Sequence, residues 1–362
     1  MTAPEAVQEY TLSDEERRCP KCTDVRQIIG HESWKELEYI PGRFAVTDHR
    51  QVKYGCRTCD GHIVLAPRTS AQPIAKGMPG FGLLANTIEN KYANHLPLYR
   101  QEQMYERQGV KVARSSMSRW LAVCAEKVRP IYERMRDEVL QSRIIHADET
   151  PVKFQRKGAG KAPTGYAWTY LGHEDHPYVI FEWHPDRGHK HAQDFLNDFA
   201  GYVQADAYGG YDALASATQA KRLCCMAHAR RYFERAQGNN PRIADEALAR
   251  IHVLYEIERQ GNLLEEDDRH QLRQREAVPR LVEMHDWMRD VQTRTLPKSA
   301  IGEALQYSVS RWSNLTRYTE RGFLPIDNNA AERALRPVAV GRKNWCSWET
   351  KTQATLSQSL PV

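Results

Sequence analysis

The chain has 362 residues, room for two or three domains of ordinary size. Hydrophobic residues at 41% and charged residues at 27% are usual for a soluble globular protein, and no apolar run approaches the ~18 residues a bilayer demands, which excludes a membrane span. A formal charge of +5 is too small to name a nucleic-acid partner by itself; the clustering of the basic residues has to decide that.

The first residues, MTAPEAVQEYTLSDEERR, are polar and acidic, unlike a secretory leader, so a cytoplasmic chain with reduced thiols is expected. Its eight cysteines are then free, catalytic or metal-bound. Cys19 and Cys22 form one CxxC knuckle and Cys56 and Cys59 a second. Four thiolates so arranged can surround Zn²⁺ as a tetrahedron. Unrelated surface cysteines or a redox pair are the competing readings, and two identical knuckles favour zinc. The role would be structural, because a segment as short as 1–65 has little core of its own. The intervening loop is longer than in the commonest zinc ribbons. It has room for a small hairpin in LEYIPGRFAVTDHRQVKYG (37–55), and it holds His31 and His49, which could substitute as ligands but in such loops are more often solvated.

APRTSAQPIAKGMPG (66–80) is rich in Pro, Gly and small residues and reads as a linker. Residues 81–141 are helical in pattern, with Gly109 between the second and third runs. One helix ends near Gln108, Gly109 turns the chain, and Ser115 or Ser116 caps the next helix, with Trp120 and Leu121 facing inward. This is the helix-turn-helix pattern, whose second helix enters the major groove. Lys111, Arg114, Ser115, Ser118 and Arg119 would then lie near DNA. An ordinary helical hairpin with a solvated basic face has the same pattern.

From residue 142 to about 229 the character changes. RIIHADETPVKF, GYAWTYLG and PYVIFEWH read as three consecutive strands, HKHAQDFLNDF as a helix, and GYVQADAYGGYDAL and RLCCMAHARRYF as strand followed by helix. That order predicts a mixed sheet covered by helices, hence a multidomain α/β chain. Residues 230 to about 320 are helical and highly charged, and IDNNAAERALRPVAVGRKNW (326–345) opens a last helix.

Asp148 sits near the end of the first apolar strand, Asp206 at the matching place in YVQADAYGGY, and Glu332 on the last helix. Two strand-borne aspartates and a helix-borne glutamate can converge on a pair of divalent cations, for which hard oxygen ligands select Mg²⁺ or Mn²⁺. Two such ions serve phosphoryl transfer, and they let close carboxylates coexist ionised. Glu149, next along the strand, should face the opposite side. Asp327, Asn328 and Asn329 are expected to cap the last helix. Isolated acids at strand ends are usually solvated; the three together carry the reading.

His228, Arg230 and Arg231, with Lys221 and Arg222 just before them and Arg333, Arg336, Arg342 and Lys343 later, put many cations near these acids. Phosphate oxygens are their natural partners, although a charge run is more often a solvated face. Cys224 and Cys225 are expected in a buried strand and Cys124 in a helix core.

At this point the chain resembles the bacterial transposases of the insertion sequence sixty-six family, which are TnpC-like and of the DDE type. CPKC, YGCRTCD, KYANHLPLYRQEQMYERQGV, SRWLAVCAE, HADETPVK, QADAYGGYDAL, AHARRYF and NNAAERALRPVAVGRKNW carry the resemblance, which runs from about Cys19 to Trp345. It implies a zinc-binding segment (1–65), a linker (66–80), a DNA-binding helical region (81–141) and a ribonuclease-H-like catalytic domain (142–345) with a helical insertion at about 236–320. Asp148, Asp206 and Glu332 fall on the family's metal-binding triad. The implied reaction is hydrolysis at transposon ends to free a 3′-hydroxyl, which then attacks target DNA. Implied partners are transposon-end and target DNA, further copies of the chain in an oligomeric complex, and accessory proteins encoded by the element, all at the nucleoid and none in a membrane.

The chain departs from the family at both ends. Only a short polar stretch precedes Cys19, where members carry a long helical region, and CSWETKTQATLSQSLPV, within the tail 346–362, replaces an apolar helical one. A frameshifted or truncated copy is the expectation, and a catalytically inactive remnant that still occupies transposon ends is the alternative to an active enzyme.

Overall fold

The computed structural model describes residues 15, 24–25, 42–47, 49, 53–55, 63–65, 73–75, 77–155, 160–206, 208–211, 219–344 and 348–349. The chain divides into two units, Met1–Asp48 and His49–Val362. In the first, residues 42–47 carry neither strand nor helix. Cys19, Cys22, Cys56, Cys59 and His31 lie outside the described residues. In the second unit β1 (Lys53–Gly55) pairs antiparallel with β2 (Ile63–Leu65), Lys53 opposite Leu65. Strand β1 ends the stretch 37–55 in which a hairpin was expected, and residues 37–41, 48 and 50–52 of that stretch lie outside the described residues.

Three helices follow as expected: α1 (Phe81–Tyr92), α2 (Leu98–Arg107) and α3 (Arg114–Leu140). Gly109 has φ +81°, a left-handed value that glycine adopts without a Cβ penalty, and there the chain leaves α2 for α3. Leu84, Tyr105, Met117, Trp120 and Leu121 bury the shared apolar face. The cap differs from expectation. Ala113 stands at the N-cap without a side-chain bond, and Ser115 and Ser116 lie inside the first turn. The Arg114 N–H donates instead to Glu102 Oε1 of α2 at 3.2 Å, and the Arg114 side chain pairs with the same carboxylate. An acid on the neighbouring helix has satisfied the orphan donor that a serine would have taken.

The centre is a mixed sheet. Strand β3 (Ile144–Gln155), β4 (Thr164–Leu171) and β5 (Val179–His184) form an antiparallel meander. Strand β6 (Tyr202–Ala205) pairs parallel with β3, and β7 (Lys221–Cys224) parallel with β6, giving the order β5-β4-β3-β6-β7. A two-residue strand β8 (Trp348–Glu349) pairs parallel with the far end of β3.

Successive strand residues face opposite sides, so the sheet builds two cores. Ile145, Ala147, Trp168, Tyr170 and Val203 pack with Val139 of α3 and with Phe195 of α4 (His189–Phe195). Ile144 and Leu223 pack on the other side against α5 (Met226–Ala236) and the helical layer beyond it. That layer contains α6 (Pro241–Gly261), α7 (Glu266–Leu272), a π-helical turn (Arg273–Ala277), α8 (Val278–Thr293), α9 (Ala300–Ser310), α10 (Trp312–Thr316) and a 3₁₀ turn (Arg317–Glu320). It spans the residues, 230 to about 320, that the sequence reads as helical. The Arg273 guanidinium is fully buried, pairs twice with Glu258, and donates to the carbonyls of Tyr318, Arg321 and Gly322. The chain then returns to the sheet as α11 (Asn329–Ala334) and α12 (Arg336–Asn344). No helix among the described residues is long and apolar enough to cross a membrane.

Candidate active site

The alternation along β3 sorts its polar residues. Ile144, His146 and Asp148 share the face turned towards the helical layer, while Ile145, Ala147 and Glu149 share the other. In the parallel ladder His146 lies opposite Gln204. Asp148 and Asp206 each lie two residues further, so two adjacent strands deliver their carboxylates at matching positions. Both are half-buried. Asp148 Oδ1 accepts from the Glu149 N–H at 2.9 Å, and Asp206 Oδ1 from the Tyr208 N–H at 2.9 Å. The buried Arg222 donates to the Asp206 carbonyl at 2.7 Å and to the Tyr208 carbonyl at 3.3 Å, which fixes the chain where it leaves β6.

Glu332 enters from the first turn of α11. It is ion-paired to Arg231 and lies 3.8 Å from His228 Nε2, both on α5. Burial pushes the Asp148 carboxyl up to about 7; repulsion from Glu149 and Asp206 adds to it, the Glu149 N–H opposes it, and Glu332 adds least. The three carboxylates named from sequence therefore share one electrostatic field. Among the described residues, no three histidine, cysteine or carboxylate side chains are disposed around one point so as to hold an ion. Guanidinium groups engage the acids instead, Arg231 at Glu332 and Arg187 at 3.9 Å from Asp206. The donor set is all-oxygen and mutually repulsive, which fits a hard divalent cation.

Glu149 faces away from Asp148, as expected, yet it belongs to the site. Its carboxylate is buried, accepts from Arg187 Nε at 2.7 Å and from the Tyr211 hydroxyl at 3.1 Å, and is pushed upward by burial and by Asp206 against those two donors. Arg187, whose guanidinium also lies 4.0 Å from the Tyr208 ring centroid, was not legible as a site residue. It sits in a Pro-Gly turn, HPDRGHK, 38 residues from its partner.

The expected caps of α11 divide. Asp327 does cap: its Oδ1 accepts from the Asn329 N–H at 3.1 Å, and the Tyr255 hydroxyl donates to Oδ2 at 2.9 Å. Asn328 stands at the N-cap position but makes no side-chain cap. It is fully buried, with Nδ2 donating to the Ala147 carbonyl at 2.8 Å and Oδ1 3.0 Å from His146 Nδ1. A buried strand carbonyl next to Asp148 has drawn that side chain away from its own helix. Burial lowers the His146 imidazole to about 4, so it is neutral at pH 7.

The basic residues also divide. His228 and Arg231 face Glu332, whereas Arg230 is exposed and pairs with Glu234. Arg342 donates to the Thr150 hydroxyl and, at 2.7 Å, to the Pro151 carbonyl, tying α12 to β3. Arg333, Arg336 and Lys343 are exposed, as are Lys111, Arg114, Ser115 and Arg119 at the start of α3, while Ser118 is half-buried. Cys224 and Cys225 are buried as expected, and Cys124 is half-buried.

Residues 76–356 match the family model described as Transposase IS66 family, and residues 16–60 the one described as zinc-finger binding domain of transposase IS66. The chain is similar to three proteins of Sinorhizobium fredii named as uncharacterized. It is 31% identical to y4hP, over 88% of this chain and 61% of that protein, and 30% identical to y4qI with the same coverage. To y4jD it is 27% identical, over 92% of this chain and 68% of that protein. The chain thus spans about three fifths of the length of the first two relatives.

Proposed function

Since this chain belongs to the transposase IS66 family, we propose that it is a DDE transposase: it cuts DNA at transposon ends and joins the freed 3′-hydroxyl to target DNA. The carrying observation is that Asp148 and Asp206 occupy matching positions on paired parallel strands, in one field with Glu332. The sheet order supports reading the catalytic domain, 142–345, as ribonuclease-H-like, with three antiparallel strands followed by two parallel ones. The turn at Gly109 and the exposed basic start of α3 support a helix-turn-helix reading of 81–141. The zinc-finger match over 16–60 supports structural Zn²⁺ on Cys19, Cys22, Cys56 and Cys59.

Asp148, Asp206 and Glu332 would hold Mg²⁺ or Mn²⁺, which when bound activates the attacking oxygen and stabilises the leaving one. The rest falls to the chain. Arg222 and the backbone N–H groups of Glu149 and Tyr208 hold the two aspartates in place. Arg231 lies beside Glu332 and supplies a cation for a phosphate oxygen once the glutamate is otherwise engaged, while His228, whose imidazole burial and Arg231 hold below its usual value, offers a hydrogen-bonding ring there. The work is done on DNA at the nucleoid, by an oligomer that pairs two ends, with accessory proteins of the element.

The test is a plasmid carrying both transposon ends, incubated with Mg²⁺ or Mn²⁺ and either this chain or its Asp148→Asn form. Metal-dependent nicks at the ends, lost in the variant, are expected. Binding without nicks in either form would overturn the enzymatic reading and leave a DNA-binding remnant.

A further inference from the structure

Beside the carboxylates lies a cleft of about 750 Å³, bounded by β3, by α6 and by the start of α11. Its size is that of sites for small molecules, typically ~300–1,000 Å³. It shares two walls with the proposed catalytic centre. His146 lies two residues before Asp148 on the same face of β3, and Arg333 follows Glu332 on α11; both line the cleft.

The lining has a defined chemistry. Asn328 commits its amide N–H to the Ala147 carbonyl, so its oxygen faces His146 Nδ1, which must carry the ring proton. His146 Nε2 is left as an acceptor. The Nδ1 of His173, also in the wall, is buried and has no hydrogen-bond partner. Three carboxylates of the lining are matched internally, Glu258 to Arg273, Glu256 to Arg259, and Asp327 to Tyr255 and Asn329, while the fourth, Glu174, is exposed to solvent. Arg333 is exposed and makes no ion pair among the described residues. Phe323 and Tyr255 add ring surface. An acceptor, an unpartnered ring nitrogen, aromatic carbon and one unmatched guanidinium fit a nucleobase with its phosphate.

We propose that this cleft houses one unstacked nucleotide of the DNA strand next to the phosphate being cut. The assignment rests on the transposase reading above and deepens it. Unstacking a base costs energy, which contacts in a fitted pocket repay. The gain is register: a single nucleotide held against the strand that carries Asp148 fixes which phosphate meets the carboxylates.

The test is a scan of transposon-end duplexes with 2-aminopurine at successive positions flanking the cleaved phosphate, bound to the full chain in Ca²⁺. A rise in emission at one position of one strand is expected. His252→Trp, at an exposed rim position of α6, should fill the cleft, remove the rise and slow cleavage about tenfold or more. An abasic site at that position should restore cleavage by the variant, because no base then needs housing. Arg259→Trp, exposed on the same helix and also lining the cleft, is the second variant. Cleavage by the wild-type chain with no rise at any position, or a rise that survives both substitutions, would overturn the nucleotide assignment and leave the transposase reading standing. A chain that neither binds nor cuts the ends would overturn both.

Discussion

The side chains of His146 and Asn328 meet at 3.0 Å across 182 residues of chain, joining the strand that carries Asp148 to the helix that carries Glu332. Asn328 is fully buried and makes a second bond, to the Ala147 carbonyl. Its replacement by alanine strands a buried carbonyl and an imidazole N–H. Asn328→Ala is expected to lower stability by about 1–3 kcal/mol and to reduce DNA cleavage by more than that loss alone explains, since Glu332 loses its anchor. Urea unfolding and plasmid nicking, measured on the same preparation, check both halves. Wild-type nicking by a destabilised Asn328→Ala would show that the bond serves stability alone.

The strand-borne acids were legible because an acid inside an apolar alternating run contradicts its surroundings. Asp148 follows two isoleucines and a histidine, and the same contradiction marks Asp206 in YVQADAY. Glu332 had no such contrast on a charged helix and stood out only in company with the two aspartates. The meander and the helical layer were legible from strand spacing and charge. What escaped was everything set by distant pairing. Arg187 reads as a turn residue until Glu149 meets it, Asn328 as a cap until β3 competes for its amide, and Ser115 as a cap until Glu102 of α2 takes the donor. Local propensity assigns each of these side chains a near neighbour, and tertiary structure supplies a better partner.

Arg273 and Glu258 form the ion pair at the centre of the helical layer, with both side chains buried. A pair so desolvated depends on keeping both partners, because removing one leaves an uncompensated buried charge. Arg273→Ala or Glu258→Ala should each cost roughly 3–5 kcal/mol. The double replacement Arg273→Met with Glu258→Leu should cost less than either. Denaturant midpoints for the four proteins decide this, and additive losses would refute the coupling.

The Asp148 carboxyl stands at about 7 in the metal-free fold against an ordinary value of 3.8. The folded state therefore binds more protons than the unfolded chain between these values. Metal-free stability should fall as pH rises from about 4 to about 7, by on the order of a few kcal/mol at most. Mg²⁺ at a site containing Asp148 favours the ionised form and should flatten that slope, releasing protons as it binds near pH 6. Asp148→Asn should remove the share of the slope and of the release that belongs to Asp148, leaving the smaller one of Glu149. Unfolding midpoints at pH 5 and pH 8, with and without Mg²⁺, measure the effect; a slope unchanged by Mg²⁺ would exclude Asp148 as a ligand.

Zinc bound by four thiolates is held far more tightly than an exchangeable Mg²⁺. Protein purified without chelator should carry about one Zn²⁺ per chain after dialysis, and Cys19→Ser or Cys56→Ser should reduce this to a small fraction. Metal analysis by mass spectrometry settles the stoichiometry. Zinc retained in full by both serine variants would place it elsewhere than on the two knuckles.

At the start of α3, Lys111 and Arg119 are exposed while Met117, Trp120 and Leu121 of the same segment are buried, so charge can be removed there without opening the core. If this face meets phosphates, each neutralised contact changes the salt dependence of binding in a countable way. Lys111→Ala and Arg119→Ala should each weaken binding to transposon-end and unrelated duplexes alike, and lower the slope of log K against log salt by about one unit. Lys343→Ala, on α12 at the other end of the described chain, should affect end cleavage more than duplex affinity if only the helix-turn-helix supplies the non-specific grip. Fluorescence anisotropy across a salt series separates the two. Slopes unchanged by both α3 substitutions would mean that the groove-facing surface lies on another element.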